Sequence, residues 1–259
     1  MSSSENRDAL PGHSQSKHTL ARAVERIADS PAPVLFPDTC SLIDLVRLPN
    51  PNRTNRSNVA HIKGELDAAD ALLGDLQEQD LWVVVPPLIP REYREHAPKA
   101  AEKVSKEWKK IDDKVHVSLA ATDVVNVSAS LPSQTNFCQT LKPLLAEVKQ
   151  VADKFIRLGL WLKLHDSCRE RADHRAINKI APGHHGGELK DCVIVEHVLS
   201  LSEWLDEQGV STPKVFLTSN TSDFSVEKGS SEPEPPLDSQ FDDLGIQMAI
   251  RWQEAQAML

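Results

Sequence analysis

The chain has 259 residues, of which 40% are hydrophobic and 26% charged, and its formal net charge is −9 at pH 7. This composition is ordinary for a globular protein, and the length allows one enlarged domain or two. A membrane-spanning or secreted protein is not expected, because no apolar run could span a bilayer and residues 1–17 lack the apolar part of a signal peptide. The acidic balance argues mildly against a dedicated nucleic-acid binder, although one face of an acidic protein can be basic.

The cysteines give no sign of a disulfide framework or a zinc site. None stands in a CxxC pair, and two fall in apolar segments; they are Cys40, Cys138, Cys168 and Cys192. Isolated thiols of this kind are typical of a reducing compartment, where disulfides are rare. The sequence therefore predicts a cytoplasmic protein with reduced cysteines.

Short apolar runs alternate with segments of helical periodicity along most of the chain. The predicted strands are residues 34–37, 81–85, 214–218 and 246–250. The predicted helices are residues 18–27, a segment from 39 to about 49, 59–79, 88–111, two or three pieces within 137–180, 188–208 and a short tail. This alternation predicts a three-layer α/β/α sandwich with a mainly parallel central sheet.

The same pattern predicts how the domain is organised. We expect residues 1–30 to form an N-terminal extension, disordered and then helical, and residues 31–259 to form a single domain. Residues 99–187 are longer than a normal crossover and are predicted to be a helical insertion that shapes one wall of the site. Within this insertion, the loose alternation of apolar and polar residues over 115–131 predicts an extra hairpin or edge strand. The acidic, proline-rich residues 227–243 predict a solvated linker.

Four acidic residues occupy equivalent positions relative to these elements. Asp38 ends the first strand, Glu92 lies about one helical turn after the second, and Asp223 follows the third. Asp191 lies in the first turn of the helix that begins near residue 188. In open parallel sheets ligands bind outside the carboxyl ends of the strands, so we expect these carboxylates to meet in one crevice. Taken singly, each acid also has an ordinary interpretation as a helix cap, a first-turn acid, an ion-pair partner or a turn residue.

Converging carboxylates repel one another unless a cation lies between them. Hard oxygen ligands suit Mg²⁺ or Mn²⁺, which keep water molecules and bind phosphate oxygens. Such a site can activate water and neutralise the leaving oxygen of a phosphodiester. The acidic residues therefore predict a divalent-metal site for phosphate chemistry.

Four short motifs carry a resemblance to a known family. In chain order they read VLFPDTCSLIDL, VPPLIPRE, LKDCVIVE and FLTSNTSDF. Together they resemble the PIN domain, and in particular the larger PIN-like subgroup of bacterial proteins with a long helical insertion, over residues 34–250. The resemblance implies a PIN-like fold and a metal-dependent ribonuclease whose products carry a 5′-phosphate and a 3′-hydroxyl.

The resemblance also implies roles for individual residues. The catalytic residues and ligands of Mg²⁺ or Mn²⁺ would be Asp38, Glu92, Asp191 and Asp223. Two further acids near Asp191 are competing ligands, Glu188 and Glu196. The polar residues that would contact the metal shell or the substrate are Thr39, Ser41, Thr218, Ser219 and Asn220. Pro37 is unusual before the first acid, because a proline in a central strand must stand where no ladder hydrogen bond is needed.

A basic face on the helices before residue 187 is a candidate substrate surface. Its residues are Arg169, Arg171, Arg175 and Lys179, with His184 and His185 in the glycine-rich turn that follows. Basic side chains can hold a phosphate backbone, and histidines can stack on bases or hydrogen-bond to them. The alternative is an ordinary solvated surface, because acidic residues alternate with the basic ones.

The sequence thus predicts a divalent-metal-dependent endoribonuclease that hydrolyses RNA phosphodiester bonds through activated water. The alternative is a catalytically inactive PIN-like scaffold that binds RNA or a protein, which the acidic net charge and the long insertion would suit. A phosphatase of the haloacid-dehalogenase type fits poorly, because Cys40 stands where its second acid is needed. RNA is the expected partner and a membrane is not; an antitoxin or other protein partner and a homodimer stay open.

Overall fold

The structure is a computed structural model that describes residues 17–52, 59–124, 137–184 and 189–259. Its strands are β1 (Val34–Pro37), β2 (Trp82–Val85), β3 (Leu160–Trp161), β4 (Lys214–Leu217) and β5 (Ile246–Ala249). Its helices are α1 (Leu20–Asp29), α2 (Thr39–Arg47), α3 (Val59–Glu78), α4 (Ile89–Val124), α5 (Phe137–Leu158), α6 (Asp166–Asn178), α7 (Leu189–Glu207), α8 (Thr221–Phe224), α9 (Leu237–Asp243) and α10 (Trp252–Met258). No helix within these ranges is both long enough and apolar enough to cross a membrane.

The five strands of the described residues form one parallel sheet in the order β3-β2-β1-β4-β5. From β1 the chain adds β2 and β3 on one side, and then returns to the other side of β1 to add β4 and β5. The direction in which the sheet grows therefore reverses between β1 and β4. Such a reversal opens a crevice at the carboxyl ends of the two strands, where ligands of doubly wound folds bind. The predicted α/β class with a parallel sheet is confirmed.

The central strands are apolar because helices cover them on both faces. All four residues of β1 and of β4 are buried. Pro37 is the last residue of β1 and pairs in register with Leu217 on β4. The next amide, that of Asp38, donates to the Leu217 carbonyl at 2.8 Å, so the ladder to β4 continues past the proline. Because successive amides of a strand point to opposite sides, the nitrogen of Pro37 faces β2. The residues of β1 that pair with β2 are Val34 and Leu35, so no partner on β2 needs an N–H group at Pro37. The proline is therefore tolerated at the point where β1 leaves β2.

The helices form two packed groups. Helices α2, α3, α4, α5 and α10 contact one another, whereas α1 and α6 both pack against α7. The first helix belongs to the core, because its apolar side chains Leu20, Ala23, Val24 and Ile27 are buried. Residues 20–29 are thus part of the domain, which differs from the predicted extension over residues 1–30. Residues 1–16 lie outside the described residues.

The predicted insertion differs from the structure in two respects. Helix α4 continues to Val124, so residues 115–124 are helical and not the predicted hairpin or edge strand; residues 125–131 lie outside the described residues. The segment also contributes β3, which pairs in parallel with β2. A strand of two residues between helices is too short to produce alternation in the sequence, which is why the pattern did not reveal it.

The segment predicted as a solvated acidic linker, residues 227–243, is tied to the domain at both ends. Ser225 forms an isolated antiparallel bridge with Pro233, and helix α9 follows. Leu237 and Phe241 of α9 are buried in the main core. These two apolar side chains, one helical turn apart, anchor an otherwise polar segment.

Candidate active site

The crevice between β1 and β4 contains the first of the predicted acids. Asp38 directly follows β1 and is the N-cap of α2, where its Oδ1 accepts a hydrogen bond from the Thr39 amide at 2.7 Å. Thr218 directly follows β4, and its hydroxyl donates to Asp38 Oδ2 at 2.9 Å. Both side chains are buried. Each carboxylate oxygen of Asp38 therefore has a fixed donor.

The Asp38 carboxylate is costly to keep ionised in this position. Burial raises its pKa to about 6, and the negative charge of Glu92 adds to the effect. The hydrogen bonds from Thr218 and from the backbone of Thr39 lower the pKa and so oppose the shift. A carboxyl group with this balance gains more than an exposed one when a cation comes close.

A second hydrogen-bonded link leads from Asp38 to Asp223. The Thr218 hydroxyl, besides donating to Asp38, accepts a hydrogen bond from the Asn220 amide at 3.1 Å. The Asn220 side chain donates in turn to Asp223 Oδ2 at 2.8 Å. Of the polar residues predicted near the metal shell, Thr218 and Asn220 therefore contact the acids themselves.

Glu92 approaches the same crevice from the first turn of α4. One of its oxygens, Oε2, accepts a hydrogen bond from the Thr39 hydroxyl at 2.8 Å. The other, Oε1, lies 2.9 Å from Lys190 Nζ. Thr39 thus touches two of the acids, since its amide holds Asp38 and its hydroxyl holds Glu92.

Asp191 completes the group from the first turn of α7. Its pKa is raised to about 7, first by burial and then by the negative charge of Asp38. The charges of Glu92 and Asp223 raise the pKa further, and that of Lys190 opposes them. The structure therefore brings the other three predicted acids into electrostatic range of Asp191.

Each of these acids also lies at the start of a helix. Asp38 caps α2, and Glu92, Asp191 and Asp223 stand in the first turns of α4, α7 and α8. Helix N-termini carry partial positive charge and unpaired amides, which favour anions nearby. The cap interpretation of Asp38 and the first-turn interpretation of Asp191 are thus correct, whereas the ion-pair partner of Glu92 is Lys190.

The acids converge without forming a ready-made metal cage. Among the described residues, no group of three or more His, Cys, Asp or Glu side chains is arranged to hold a metal ion. The contacts of Glu92 account for part of this, because Lys190 and Thr39 occupy its oxygens. In this arrangement the ammonium group of Lys190 supplies positive charge to the cluster.

Lys190 is the site residue that the sequence pattern did not single out. It adjoins Asp191 in the motif LKDCVIVE, so its place in the chain was a usable signal. Nothing in the sequence indicated that its partner would be Glu92, which lies on another helix.

The remaining polar residues of the strand-end motifs have structural contacts or lie at the rim. Ser41 is buried, and its hydroxyl donates to the Leu217 carbonyl at 3.0 Å, so it joins α2 to β4 and is not directed at substrate. Ser219 is half-buried beside Thr218. The prediction of a substrate contact for Ser41 is therefore corrected.

The residues of the glycine-rich turn lie apart or outside the described ranges. His184 Nε2 is 2.8 Å from Glu234 Oε2, a contact to the segment before α9. Glu188 and His185, predicted as a competing ligand and a base contact, lie outside the described residues.

Glu196 is the centre of a separate ion-pair network. Its Oε1 lies 2.5 Å from Arg175 Nε, and its Oε2 lies 2.6 Å from Arg171 Nε. Arg175 is buried and also donates to the Ala181 carbonyl at 2.7 Å and to Gln240 Oε1 at 2.6 Å. Both oxygens of Glu196 are thus taken by guanidinium groups, which corrects its prediction as a competing metal ligand.

This network also divides the predicted basic face of α6. Arg175 is buried and joins α6, α7 and α9, so the predicted phosphate contact is corrected for this residue. Arg171 is partly exposed but paired with Glu196. Arg169 and Lys179 are exposed, Lys179 as the left-handed cap of α6. Only part of the predicted face can therefore meet an anionic substrate.

The raised pKa values give a prediction for the stability of the metal-free protein. Burial and neighbouring negative charge raise the pKa of Asp38 to about 6 and that of Asp191 to about 7, above the ordinary aspartate value of 3.8. Protonation of these two carboxyl groups stabilises the folded protein fully at a pH below their pKa in the unfolded chain. This stabilisation is lost as the pH rises through their pKa values in the folded protein. Asp191→Asn should therefore be more stable than the wild type by about 2 kcal/mol near pH 8, and by much less near pH 5.

Chemical denaturation in EDTA at both pH values measures this difference. Asp75→Asn, the same change on the exposed surface of α3, is the control and should leave the pH dependence unaltered. Equal pH dependence in the wild type and Asp191→Asn would contradict the electrostatic crowding.

No family model matches the chain, and comparisons with curated proteins and with solved structures likewise find no match.

Proposed function

We propose that this chain is a divalent-metal-dependent endoribonuclease with a PIN-like three-layer α/β/α fold that acts in the cytoplasm. The observation that carries the proposal is the meeting of four acids from four separate segments beside the reversal between β1 and β4. Ordinary capping roles would give each acid a place at a helix start, but they would not require Asp191 to feel the charges of Asp38, Glu92 and Asp223. The two packed groups of helices are what the opposite outer layers of such a sandwich would provide.

The donor set of the site fits a hard divalent cation. It offers carboxylate oxygens, the ligands that Mg²⁺ and Mn²⁺ prefer, with the thiol of Cys40 beside Asp38. Mg²⁺ is commonly held by one or two carboxylates together with water and substrate phosphates, so a complete protein cage is not required. Asp38 and Asp191 would hold the ion, with Glu92 and Asp223 as further ligands.

When bound, Mg²⁺ or Mn²⁺ would supply Lewis-acid chemistry that makes water a better nucleophile and stabilises charge on the phosphate. The chain's own residues prepare this site. Thr218 keeps Asp38 oriented and favours its ionised form, and Asn220 orients Asp223 through a hydrogen bond. Lys190 neutralises part of the charge on Glu92 and is placed to attract a phosphate oxygen. Hydrolysis would leave a 5′-phosphate and a 3′-hydroxyl.

Cleavage of a mixed RNA pool tests the proposal. The purified protein should degrade the RNA with Mn²⁺, and EDTA should stop the cleavage. The products should be substrates for an RNA ligase that requires a 5′-phosphate. Cleavage that continues unchanged in EDTA, or products with a 2′,3′-cyclic phosphate, would contradict a metal-dependent hydrolysis.

A PIN-like scaffold that binds RNA or a protein without cleaving is the second candidate. The observation in its favour is the ion pair between Lys190 and Glu92, which gives the cluster an internal counter-ion without metal. This candidate predicts RNA retention with no Mn²⁺ binding and no cleavage. Mn²⁺ binding therefore separates the two functions.

Thr218→Val should reduce cleavage about 10- to 100-fold, a magnitude typical of residues that orient metal ligands. Valine keeps the shape of the buried side chain but removes the hydroxyl that donates to Asp38. The rate loss should be smaller at higher Mn²⁺ concentration, because the defect lies in ligand orientation. Thr212→Val is the control; it precedes β4 at the opposite end of the sheet, and no described residue hydrogen-bonds to its hydroxyl. A rate for Thr218→Val equal to that of the control would show that the hydroxyl has no positioning role.

A further inference from the structure

A second concave region lies at the opposite end of the sheet from the acids. It consists of two adjoining cavities of about 370 and 280 Å³ that share Arg26, Trp82, Leu158 and Leu160. Trp82 begins β2 and Leu160 begins β3, so the region opens at the amino ends of these strands. We refer to these two cavities together as the Trp82 cavity. Because Asp38 follows the carboxyl end of β1, the Trp82 cavity is distinct from the acidic site.

The Trp82 cavity is basic and aromatic in an otherwise acidic protein. Its charged lining residues are Arg26 of α1 and Arg157 of α5, and His18 and Trp161 line the smaller part. No acidic side chain among the described residues lines either part. This composition contrasts with the formal net charge of −9 for the whole chain. The lining of the Trp82 cavity is therefore locally basic.

Three of these groups, Arg26, Trp82 and His18, contact one another or the backbone. The guanidinium carbon of Arg26 lies 5.4 Å from the centre of the Trp82 ring, and Trp82 Nε1 donates to the Ser30 carbonyl at 2.9 Å. Arg26 also lies 3.3 Å from His18 Nε2, which must accept because a guanidinium can only donate. An arginine held over an indole presents a planar donor fork beside an aromatic edge.

The apolar part of the lining distinguishes this site from a simple anion site. Leucine side chains line it, namely Leu76, Leu81, Leu158 and Leu160, and Leu158 is 42% exposed. Inorganic phosphate would leave these side chains and the indole unused. A nucleotide unit uses both kinds of surface, because its phosphate pairs with guanidinium groups and its base packs on aromatic and apolar side chains.

We propose that the Trp82 cavity binds a nucleotide unit of single-stranded RNA, with the phosphate at Arg26 and Arg157 and the base against Trp82. The inference rests on the proposed ribonuclease function, for which it supplies a substrate-holding site away from the acids. It would also supply basic contacts to RNA in a chain in which two arginines of α6, Arg171 and Arg175, both pair with Glu196. The cavity and the acidic site lie at opposite ends of a sheet whose four-residue strands are about 13 Å long.

RNA affinity measured in EDTA tests the proposal separately from cleavage. The full chain is titrated into a short fluorescein-labelled RNA of mixed sequence, and anisotropy gives Kd at several salt concentrations. The double variant Arg26→Gln with Arg157→Gln should raise Kd about 10-fold and reduce the slope of log K against log salt by about 0.7, because the contacts to one phosphate are lost. The control, Lys103→Gln with Lys109→Gln on the exposed surface of α4, should keep the wild-type Kd.

Two results would overturn the proposal. One is a wild-type Kd in the Arg26 and Arg157 double variant, with the loss of affinity appearing instead in Arg169→Gln with Lys179→Gln. The other is that inorganic phosphate competes with RNA as effectively as a free mononucleotide does. That result would show that the base does not contribute to binding. A protein that binds RNA through Arg26 and Arg157 but never cleaves it would contradict the nuclease function and leave this site standing.

Discussion

Replacing Asp38 by Asn should lower RNA cleavage at least about 100-fold, more than the loss typical of residues that only orient metal ligands. The amide keeps the shape of the side chain and can still cap α2 through its oxygen. It removes the charge that a divalent cation needs, and it presents an NH₂ group to the Thr39 amide or to the Thr218 hydroxyl. Single-turnover cleavage with Mn²⁺ in excess measures the chemical step.

The matched control for this variant is Asp75→Asn on the exposed surface of α3. It makes the same chemical change away from the carboxyl ends of the strands and should cleave at the wild-type rate. Thermal unfolding in EDTA shows that the fold of Asp38→Asn is intact, since relief of charge repulsion should keep it at least as stable as the wild type. Wild-type cleavage by a folded Asp38→Asn protein would end the case for a nuclease built on this crevice.

Glu196→Gln should destabilise the protein by about 3 kcal/mol, the largest stability effect that the described ion pairs predict. The substitution leaves the Arg175 guanidinium buried without its counter-charge, and it removes the partner of Arg171. A buried charge that loses its partner costs more than the pair itself contributed. Urea unfolding at constant pH measures the loss as a lower midpoint with an unchanged slope.

Glu207→Gln, near the exposed end of the same helix, is the control and should change stability little. A second variant, Glu196→Leu with Arg175→Met, should recover part of the loss, because an apolar pair removes both buried charges. Glu196→Gln should still bind Mn²⁺ once folded. If Glu196→Gln instead lost Mn²⁺ binding and kept the stability of the wild type, Glu196 would be a metal ligand.

The sequence predicted the elements that strong local patterns define. The β-branched run before Pro86 and the apolar run before Asp38 became β2 and β1, because a strand buried on both faces must be continuously apolar. The acids at their ends could be found for the same reason, since parallel strands share one carboxyl edge. Asp191 feels the charges of Asp38, Glu92 and Asp223, and their role as one metal site stays a prediction.

What the sequence could not provide is the choice of partner between distant segments. Arg175 and Glu196 look like surface charges in isolation, and only the packing of α6 on α7 buries them as a pair. Lys190 likewise has no pattern that points to Glu92. Strand β3 has too few residues to show a period, and its identity comes from pairing with β2. Such features depend on tertiary contacts, which a local pattern does not encode.

The most direct test of the central claim is Mn²⁺ binding to the metal-free protein near pH 8, followed by the electron paramagnetic resonance signal of free Mn²⁺. If the gathered acids form a cation site, the wild type should bind Mn²⁺ saturably and Mg²⁺ should displace it, whereas Asp38→Asn should leave most of the ion free. Wild-type protein that leaves the free Mn²⁺ signal unchanged, or binding that is equal in Asp38→Asn, would contradict a metal site in the crevice between β1 and β4.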